Sequence, residues 1–245
     1  MSGRLPFPHN SGPDRSLPDP RGRRAVGYRH TLARTPERGA TVSDVKVAVI
    51  YYSATGTVHA MAERLSQAAE KAGAEHRLRH VTELAPAHVI ETQEAWQQHR
   101  SRVEGMPEAE PDDVDWADVV LLGTPTRFGN VASQLKQYLD QLGPLWGQGR
   151  LADKVYAGFT ASQTAHGGQE STLLALYNTI HHFGGLVVSP GYTDPVKFQD
   201  GNPYGVGKVT GAGTELDDTD VHALDHLAER AVDVARRLSA GTRAA

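Results

Sequence analysis

The stretch from Val45 to Val58 reads VKVAVIYYSATGTV, and it decides the fold class. Its first half is a short apolar run rich in β-branched and aromatic residues, which predicts a buried β-strand. A hydroxyl-rich turn, Ser53 to Thr57, follows, and the apolar residues after the turn recur at helical spacing. A strand that leads through such a turn into a helix is typical of an α/β domain that binds an anion at the helix N-terminus.

The turn from Ser53 to Thr57 has the composition of a site for a single phosphate. It contains no Lys or Arg to reach the outer phosphates of a nucleotide, and Gly56 is its only glycine, which excludes the dinucleotide fingerprint. Backbone N–H groups and the hydroxyls of Ser53, Thr55 and Thr57 remain as neutral donors. They suit a phosphate monoester such as that of FMN, whereas an ordinary helix cap is the alternative that the turn alone leaves open.

The composition predicts one soluble α/β domain. The chain has 245 residues, 39% of them hydrophobic, and no cysteine. Without cysteine there is no disulfide, thiolate catalysis or iron–sulfur cluster, so redox chemistry requires an organic cofactor. The sequence has no apolar run of membrane-spanning length and no apolar segment of a secretion signal near its N-terminus. We therefore expect a cytoplasmic protein without membrane insertion.

Residues 1–44 differ in composition from the rest of the chain. They hold six of the 14 prolines, and their eight arginines and four acidic residues give a charge of +4. Since they show no periodic apolar pattern, we predict a disordered extension before a domain that spans residues 45–245. The 17 basic and 25 acidic residues of that domain give it a charge of −8, which argues against direct nucleic-acid binding.

Strand and helix patterns alternate along this domain. After the first strand and helix, the sequence predicts strands at 75–81, 114–123, 154–160 and 186–189, and helices at 87–103, 132–142, 169–183 and 220–238, with a linker at 107–113. The alternation predicts a parallel sheet with helices on both faces. Five strands with a phosphate turn after the first favour a doubly wound, flavodoxin-like α/β fold with strand order 2-1-3-4-5.

Two loops of unusual composition should border the ligand crevice of this fold. The loop after the third strand reads GTPTRFGN from Gly123 to Asn130, and the loop after the fourth reads TASQTAHGGQE from Thr160 to Glu170. Glycine and small hydroxyl residues let the backbone approach a flat ring closely. Because the carboxyl ends of parallel strands share one edge of a sheet, we expect both loops beside the phosphate turn.

A family resemblance rests on these two loops and on three shorter runs: His181-His182, Leu145-Trp146 and Pro203-Tyr204-Gly205. From Val45 to the C-terminus the chain resembles the WrbA family of flavodoxin-like NAD(P)H:quinone oxidoreductases. The resemblance implies FMN as cofactor, NADH or NADPH as electron donor and a quinone as substrate. It also implies two-electron reduction to the hydroquinone by ping-pong hydride transfer through the flavin, in a homotetramer whose neighbouring subunits help to form the flavin pocket.

The resemblance further implies which residues form the site. The FMN phosphate would be held by Ser53, Ala54, Thr55, Gly56, Thr57 and Val58. The isoalloxazine would be lined by Thr126, Arg127 and Phe128, and its polar edge by Ser162, Gln163, Thr164, Ala165, His166 and Gly167. His181 would approach the flavin as the catalytic hydrogen-bond or proton donor, and Trp146 would form part of the quinone pocket. One departure is Thr55, which stands where many relatives have an aromatic residue at the nicotinamide site.

Each of these side chains also has a purely structural interpretation. Arg127 is either a solvent-facing cation or a ligand contact, and a cation near a helix N-terminus implies a partner. Phe128 and Trp146 suit a core as well as a pocket. His181 and His182 point about 100° apart on a helix, so we predict no metal site from this doublet.

Three other functions use the same kind of site. A flavodoxin-type electron carrier would pass single electrons between partner proteins without a substrate pocket. A noncatalytic regulatory protein would act by binding a repressor. An azo- or nitroreductase would reduce a different acceptor on the same flavin. Steady NAD(P)H oxidation with a quinone and no second protein would distinguish the predicted enzyme from the carrier.

Overall fold

The computed structural model describes residues 45–212 and 215–242, so the predicted extension at 1–44 lies outside the described residues. The strands are β1 (Lys46–Tyr51), β2 (Glu75–His80), β3 (Val119–Pro125), β4 (Val155–Ser162), β5 (Leu186–Val187) and β6 (Val206–Val209). The helices are α1 (Thr57–Lys71), α2 (Ala87–Ile90), α3 (Glu94–Arg102), α4 (Pro111–Trp116), α5 (Ser133–Asp140), α6 (Gly143–Gly147), α7 (Gln169–Phe183), α8 (Lys197–Asp200) and α9 (Asp218–Thr242). Among these described residues no helix is long and apolar enough to cross a membrane.

The strands form one parallel sheet with the order β2-β1-β3-β4-β5. Tyr51 at the end of β1 lies opposite His80 of β2 and Gly123 of β3, and Pro125 lies opposite Ala161 of β4. The strand ends therefore meet at one side of the sheet, which we call the carboxyl edge; the opposite side is the amino edge. The predicted α/β fold and its strand order 2-1-3-4-5 are confirmed.

The side chains of β1 alternate between two apolar layers. Val47 and Val49 belong to the cluster that includes α1 and α9, whereas Ala48 and Ile50 belong to the cluster that includes α5 and α7. All four are fully buried. Burial on both faces explains why β1 is a continuous apolar run rather than an alternating one. The resulting packed sheet holds the loops of the carboxyl edge in place.

The fifth position of the sheet is shared by two short strands. The start of β4 pairs with β5, and its last four residues, Phe159 to Ser162, pair with β6. The prediction of a last strand at 186–189 is thus wrong in extent, because β5 ends at Val187 and the chain returns to the sheet only at Val206. The sequence did not predict β6, because this strand is only four residues long and follows a polar segment rich in glycine and proline.

Other predicted boundaries also need correction. The predicted third strand begins at Val114, but Val114 lies in α4, and β3 begins only at Val119. Pro111 in the first turn and a capping box between Glu110 and Asp113 stabilise this helix inside the predicted linker. The predicted helix at 87–103 is two helices, α2 and α3. The helix at 169–183 has the predicted bounds.

Candidate functional site

A cavity of about 930 Å³ opens at the carboxyl edge of the sheet. Its walls come from the segments that follow β1, β3, β4 and β6, as expected for a ligand crevice in a doubly wound sheet. Eleven of the predicted cofactor residues line it: Ser53, Ala54, Thr55, Thr57, Val58, Thr126, Arg127, Ser162, Gln163, Thr164 and Gly167. Its volume lies in the usual range for small-molecule sites.

The turn after β1 presents unused donors to this cavity. The residue before α1 is Gly56, with a left-handed φ of 101°, and no side chain caps the helix. The Gly56 N–H donates to Ser53 Oγ at 3.1 Å, which leaves the Ser53 hydroxyl proton free to donate elsewhere. Thr57 Oγ1 is buried and has no hydrogen-bond partner among the described residues. Unpaired helix N–H groups with a buried hydroxyl beside them form a site for an anion.

The loop after β4 folds tightly at the opposite wall. Ser162 Oγ donates to the carbonyl of Thr164 at 2.7 Å and accepts from Gln169 Nε2 at 2.8 Å. A Cβ on Gly167 would stand 2.7 Å from Ser162 Cβ and 2.9 Å from the Thr164 carbonyl oxygen. Glycine is therefore required for this loop to close, and its backbone groups stay at the cavity. Ala165 and His166 lie in the same loop without lining the cavity.

The loop after β3 contributes Thr126 and Arg127 but not Phe128. Arg127 N–H donates to the Asn130 carbonyl at 2.8 Å, and its guanidinium donates to the Thr126 carbonyl at 2.9 Å. Arg127 is exposed and forms no ion pair with any described residue. Phe128 has a φ of 54° and a fully exposed side chain. Phe128 therefore does not line the cavity of a single chain, and its contact with the isoalloxazine stays a prediction.

His181 and Trp146 lie at the other edge of the sheet. Helix α7 begins at Gln169, beside the end of β4, and His181 is in its last turn, about 18 Å along the helix. The Trp146 Nε1–H donates to the carbonyl of His182 at 2.8 Å, which places Trp146 at the same amino edge. Neither side chain lines the cavity. The cavity of one chain therefore does not include them, and their roles beside the flavin and in the quinone pocket stay predictions.

Buried histidines lie behind the phosphate turn. The His99 ring packs on His59 with 5.2 Å between centroids, and His99 Nδ1, which has no partner in the described part of the chain, faces Gly56. Burial, with smaller contributions from the nearby His59, Arg102 and His80, lowers the pKa of His99 to about 4. His99 is thus neutral at pH 7. The anion site relies on N–H and hydroxyl dipoles rather than on a cation from this cluster.

Four residues of the cavity that lie outside the predicted turn and loops were missed by the sequence analysis. Gln93 and Trp96 line it, although they come from the segment between β2 and β3 rather than from a loop at a strand end. A tryptophan within the otherwise polar sequence of α3 was the available signal. Thr210 and Gly211, after β6, also line the cavity and were missed because β6 was not predicted. Within the described ranges, no group of three or more His, Asp or Glu side chains is arranged to hold a metal ion.

The sheet order and the anion turn define a flavodoxin-like protein with a cofactor cavity at the carboxyl edge. Residues 45–194 match the family described as NADPH-dependent FMN reductase, and the chain belongs to this family. The resemblance drawn from the sequence is confirmed at this level.

Two relatives and two solved structures extend the comparison. An NAD(P)H dehydrogenase (quinone) of Deinococcus radiodurans is 43% identical, over 79% of this chain and 97% of the relative. A protein of the same name from Geotalea uraniireducens is 36% identical, over 80% of this chain and all of the relative. A WrbA-like flavodoxin from Agrobacterium tumefaciens superposes with a TM-score of 0.58 at 25% identity, covering 79% and 99% of the two chains. An archaeal flavodoxin, at 0.52 and 14% identity over 78% and 99%, is similar in fold alone.

Proposed function

We propose that this protein is an FMN-dependent NAD(P)H:quinone oxidoreductase that reduces quinones to hydroquinones by two electrons. The observation that carries the proposal is the cavity at the carboxyl edge, where an uncapped helix N-terminus and two close-packed glycine loops meet. Membership of the FMN reductase family supports FMN as the cofactor. The relatives named NAD(P)H dehydrogenase (quinone) support the donor and the acceptor.

The residues present fit the phosphate of FMN. The N–H groups of the first turn of α1 and the hydroxyls of Ser53 and Thr57 would bind the phosphate oxygens, which gives the buried Thr57 Oγ1 the partner that it lacks. No Lys or Arg is needed, because dipoles at a helix N-terminus favour a dianion. Burial of Thr57 excludes water from these bonds and strengthens them.

The other two loops would orient the ring. Backbone groups of the segment from Ser162 to Gly167 would bind the polar edge of the isoalloxazine, and Thr126 with Arg127 would lie along its side. When bound, FMN supplies the hydride acceptance and donation that no side chain of this cysteine-free protein provides. Arg127, exposed and without an ion pair in the described chain, would attract the phosphates of NADH or NADPH. We propose a ping-pong order in which the donor leaves before the quinone enters the open side of the cavity.

The amino edge supports the proposal of a homotetramer. Trp146 is 56% exposed although it is a large aromatic side chain, and His181 is exposed in the same region. Roles for them beside a flavin and a quinone would require the cavity of a second copy of the chain. We also propose a cytoplasmic location, since a redox protein without cysteine has no need of an oxidising compartment.

A steady-state assay tests the enzyme. The purified protein with FMN, NADH or NADPH and benzoquinone, and with no second protein, should oxidise the nicotinamide continuously. Double-reciprocal plots at several quinone concentrations should be parallel, as in ping-pong kinetics. A single rapid reduction that stops after one equivalent of donor would instead indicate a carrier, and intersecting plots would contradict the proposed order.

Binding measurements test the cofactor site. FMN should bind more tightly than riboflavin, because the turn from Ser53 to Val58 is built for a phosphate. Thr57→Val should weaken FMN by roughly ten- to a hundredfold, equivalent to about 1.5–3 kcal/mol for one charge-assisted hydrogen bond, and leave riboflavin unaffected. Thr219→Val in α9 serves as the matched control. Equal affinities of the wild-type protein for FMN and riboflavin would refute the phosphate site.

A further inference from the structure

Trp96 is the only aromatic residue among the described residues that line the cavity. The rest of the wall consists of hydroxyl, amide, glycine and small apolar side chains, together with Arg127. Phe128 of the adjacent loop is fully exposed. A flat conjugated ligand in this cavity therefore has a single aromatic surface available to it, and that surface comes from α3.

The indole of Trp96 is held in place by the carboxylate of Glu83. Its Nε1–H donates to Glu83 Oε2 at 2.9 Å. The same oxygen accepts from the Tyr52 hydroxyl at 2.9 Å, and Glu83 Oε1 accepts from Gln134 Nε2 at 2.8 Å and from the N–H of Ala85 at 2.9 Å. Glu83 thus ties α3 to the end of β1 and to the start of α5, two rigid elements of the fold.

The charge state of Glu83 suits this role. Burial acts to raise the pKa of this carboxyl, but hydrogen bonds from Ala85 N–H, Gln134, Trp96 and Tyr52 outweigh burial and lower it. Glu83 is therefore ionised at neutral pH and accepts every one of these bonds. Burial also raises the pKa of Tyr52, so its hydroxyl stays protonated and remains a donor.

A fixed indole is a favourable partner for a planar ring. Aromatic rings stack with an offset or pack edge to face, and a side chain that is already ordered loses little conformational entropy when the ligand arrives. Trp96 is half-buried, so part of its surface packs on the protein and part faces the cavity. An unanchored tryptophan in a short polar helix would lose more entropy on binding.

We propose that Trp96 packs against the isoalloxazine of the bound flavin and that Glu83 is the residue that positions it. This inference rests on the proposed function, since it takes FMN as the ligand of the cavity. It assigns a contact to the flavin from a segment outside the three strand-end loops. Trp96 thereby supplies the aromatic surface that Thr55, at the phosphate turn, does not.

The fluorescence of bound FMN tests the contact. An indole in contact with an isoalloxazine quenches its emission by electron transfer at short range, whereas phenylalanine does not. We expect the emission of FMN bound to the wild-type protein to fall at least tenfold below that of free FMN. It should recover at least threefold in Trp96→Phe. Trp116→Phe is the matched control, because Trp116 lies at the amino edge and has no proposed role at the flavin or the quinone, and it should leave the emission low.

An NMR measurement on the wild-type protein tests the contact between Trp96 and the flavin even if Trp96→Phe does not fold. The three indole N–H resonances in a ¹⁵N-correlated spectrum can be assigned with Trp116→Phe and Trp146→Phe, which leave Trp96 by elimination. FMN should shift the Trp96 resonance strongly and the Trp116 resonance little. Glu83→Gln should still bind FMN but show more than one fluorescence lifetime for the bound flavin, since the indole is less well held. Glu94→Gln, on the exposed side of α3, should behave as wild type.

The outcomes separate this inference from the proposed function. A wild-type protein that binds FMN and reduces quinone, with emission unchanged by Trp96→Phe and an unshifted Trp96 resonance, overturns the contact and leaves the enzyme assignment standing. Unchanged lifetimes in Glu83→Gln overturn the positioning role of Glu83. Failure of the wild-type protein to bind FMN overturns the proposed function and this inference together.

Discussion

The carboxyl edge of the sheet has a buried polar group without a hydrogen-bond partner, whereas the amino edge has an exposed apolar surface. At the carboxyl edge, Thr57 Oγ1 is buried without a partner, and glycines such as Gly167 bring backbone close to an open cavity. At the amino edge, the Trp146 N–H is paired with the His182 carbonyl, while the apolar surface of the indole is exposed. The first edge needs polar contacts, and the second needs its apolar surface covered.

This difference indicates two kinds of ligand. Unpaired buried donors are costly in free energy and are relieved by a small anionic group that fits among them. An exposed aromatic surface is relieved by burial against a second apolar surface, as in a subunit interface or a substrate pocket. We therefore propose that the carboxyl edge binds the cofactor within one chain and that the amino edge acts together with a second molecule.

The largest effect on FMN affinity is expected from adding a side chain at Gly167, in the loop after β4 at the carboxyl edge. Gly167→Ala places a Cβ 2.7 Å from Ser162 Cβ and 2.9 Å from the Thr164 carbonyl, so the loop must move away from the cavity. We expect FMN affinity to fall more than tenfold, since overpacking costs about 1–3 kcal/mol. Titration of the apoprotein measures it. Gly147→Ala is the matched control at the amino edge, because its new Cβ has no neighbour within 4 Å. Equal FMN affinities of the two variants would contradict the proposed difference between the two edges.

Acid should destabilise the fold through His99, which lies behind the turn at the carboxyl edge. The folded-state pKa of His99 is about 4, whereas that of an unfolded histidine is about 6.5, so the unfolded chain binds the additional proton between these values. The free energy of unfolding should therefore fall as the pH is lowered from about 6.5 to about 4, by about 1–2 kcal/mol after allowance for solvent screening. Urea unfolding across this range measures the slope.

A histidine variant shows whether this slope belongs to His99. His99→Phe should flatten the dependence on pH, because a phenylalanine fills the position without a titrating group. The exposed His182 at the amino edge supplies the control variant His182→Gln, which should keep the wild-type dependence. A wild-type slope that survives in His99→Phe would show that acid acts elsewhere in the chain.

A smaller effect, of a different kind, is expected at the amino edge. Trp146→Ala removes the hydrogen bond to His182 and an exposed indole, so FMN affinity per chain should remain as in the wild type. If Trp146 forms part of a pocket with another subunit, kcat/KM for quinone should fall roughly fivefold, or about 1 kcal/mol. Kinetics and analytical ultracentrifugation check this. Loss of flavin with unchanged turnover per bound flavin would show that Trp146 is structural and weaken the division between the edges.

The smallest effect is expected from removing the N-terminal segment. A chain that begins at Ser43 keeps every strand of the sheet, which starts at Lys46. The removed sequence has little apolar periodicity to offset an ordering cost of about 1–2 kcal/mol per residue. FMN affinity, quinone turnover and assembly should equal those of the full chain, and the free energy of unfolding should change by less than about 0.5 kcal/mol. A shorter chain that no longer assembles would show that the segment takes part in assembly.

Local sequence patterns were sufficient for the central fold and for most of the cavity. The apolar run of β1 and the turn from Ser53 to Thr57 form a strand and an uncapped helix N-terminus, as predicted, since a short hydroxyl-rich turn between periodic segments leaves few alternatives. The loops near Thr126 and Ser162 border the cavity because parallel strands place their carboxyl ends together. Val114 was assigned to a strand although it lies in a capped helix, and β6 was missed, because helix capping and a pairing of only four residues leave weak signals in the sequence.

The sequence by itself determined the alternation of strands and helices, the strand order and the hydroxyl-rich turn before the first helix, because each follows from a local periodicity or from a rule of chain connection. Only the tertiary structure decided that Trp96 reaches the cavity and that His181 does not. Trp96 donates a hydrogen bond to Glu83, and Glu83 accepts another from Gln134, 51 residues away in sequence. These side chains meet only when α3 packs beside β1 and α5. His181 lies far from the cavity because α7 is 15 residues long and runs away from the carboxyl edge. A match of short motifs carries no information on the direction of a helix.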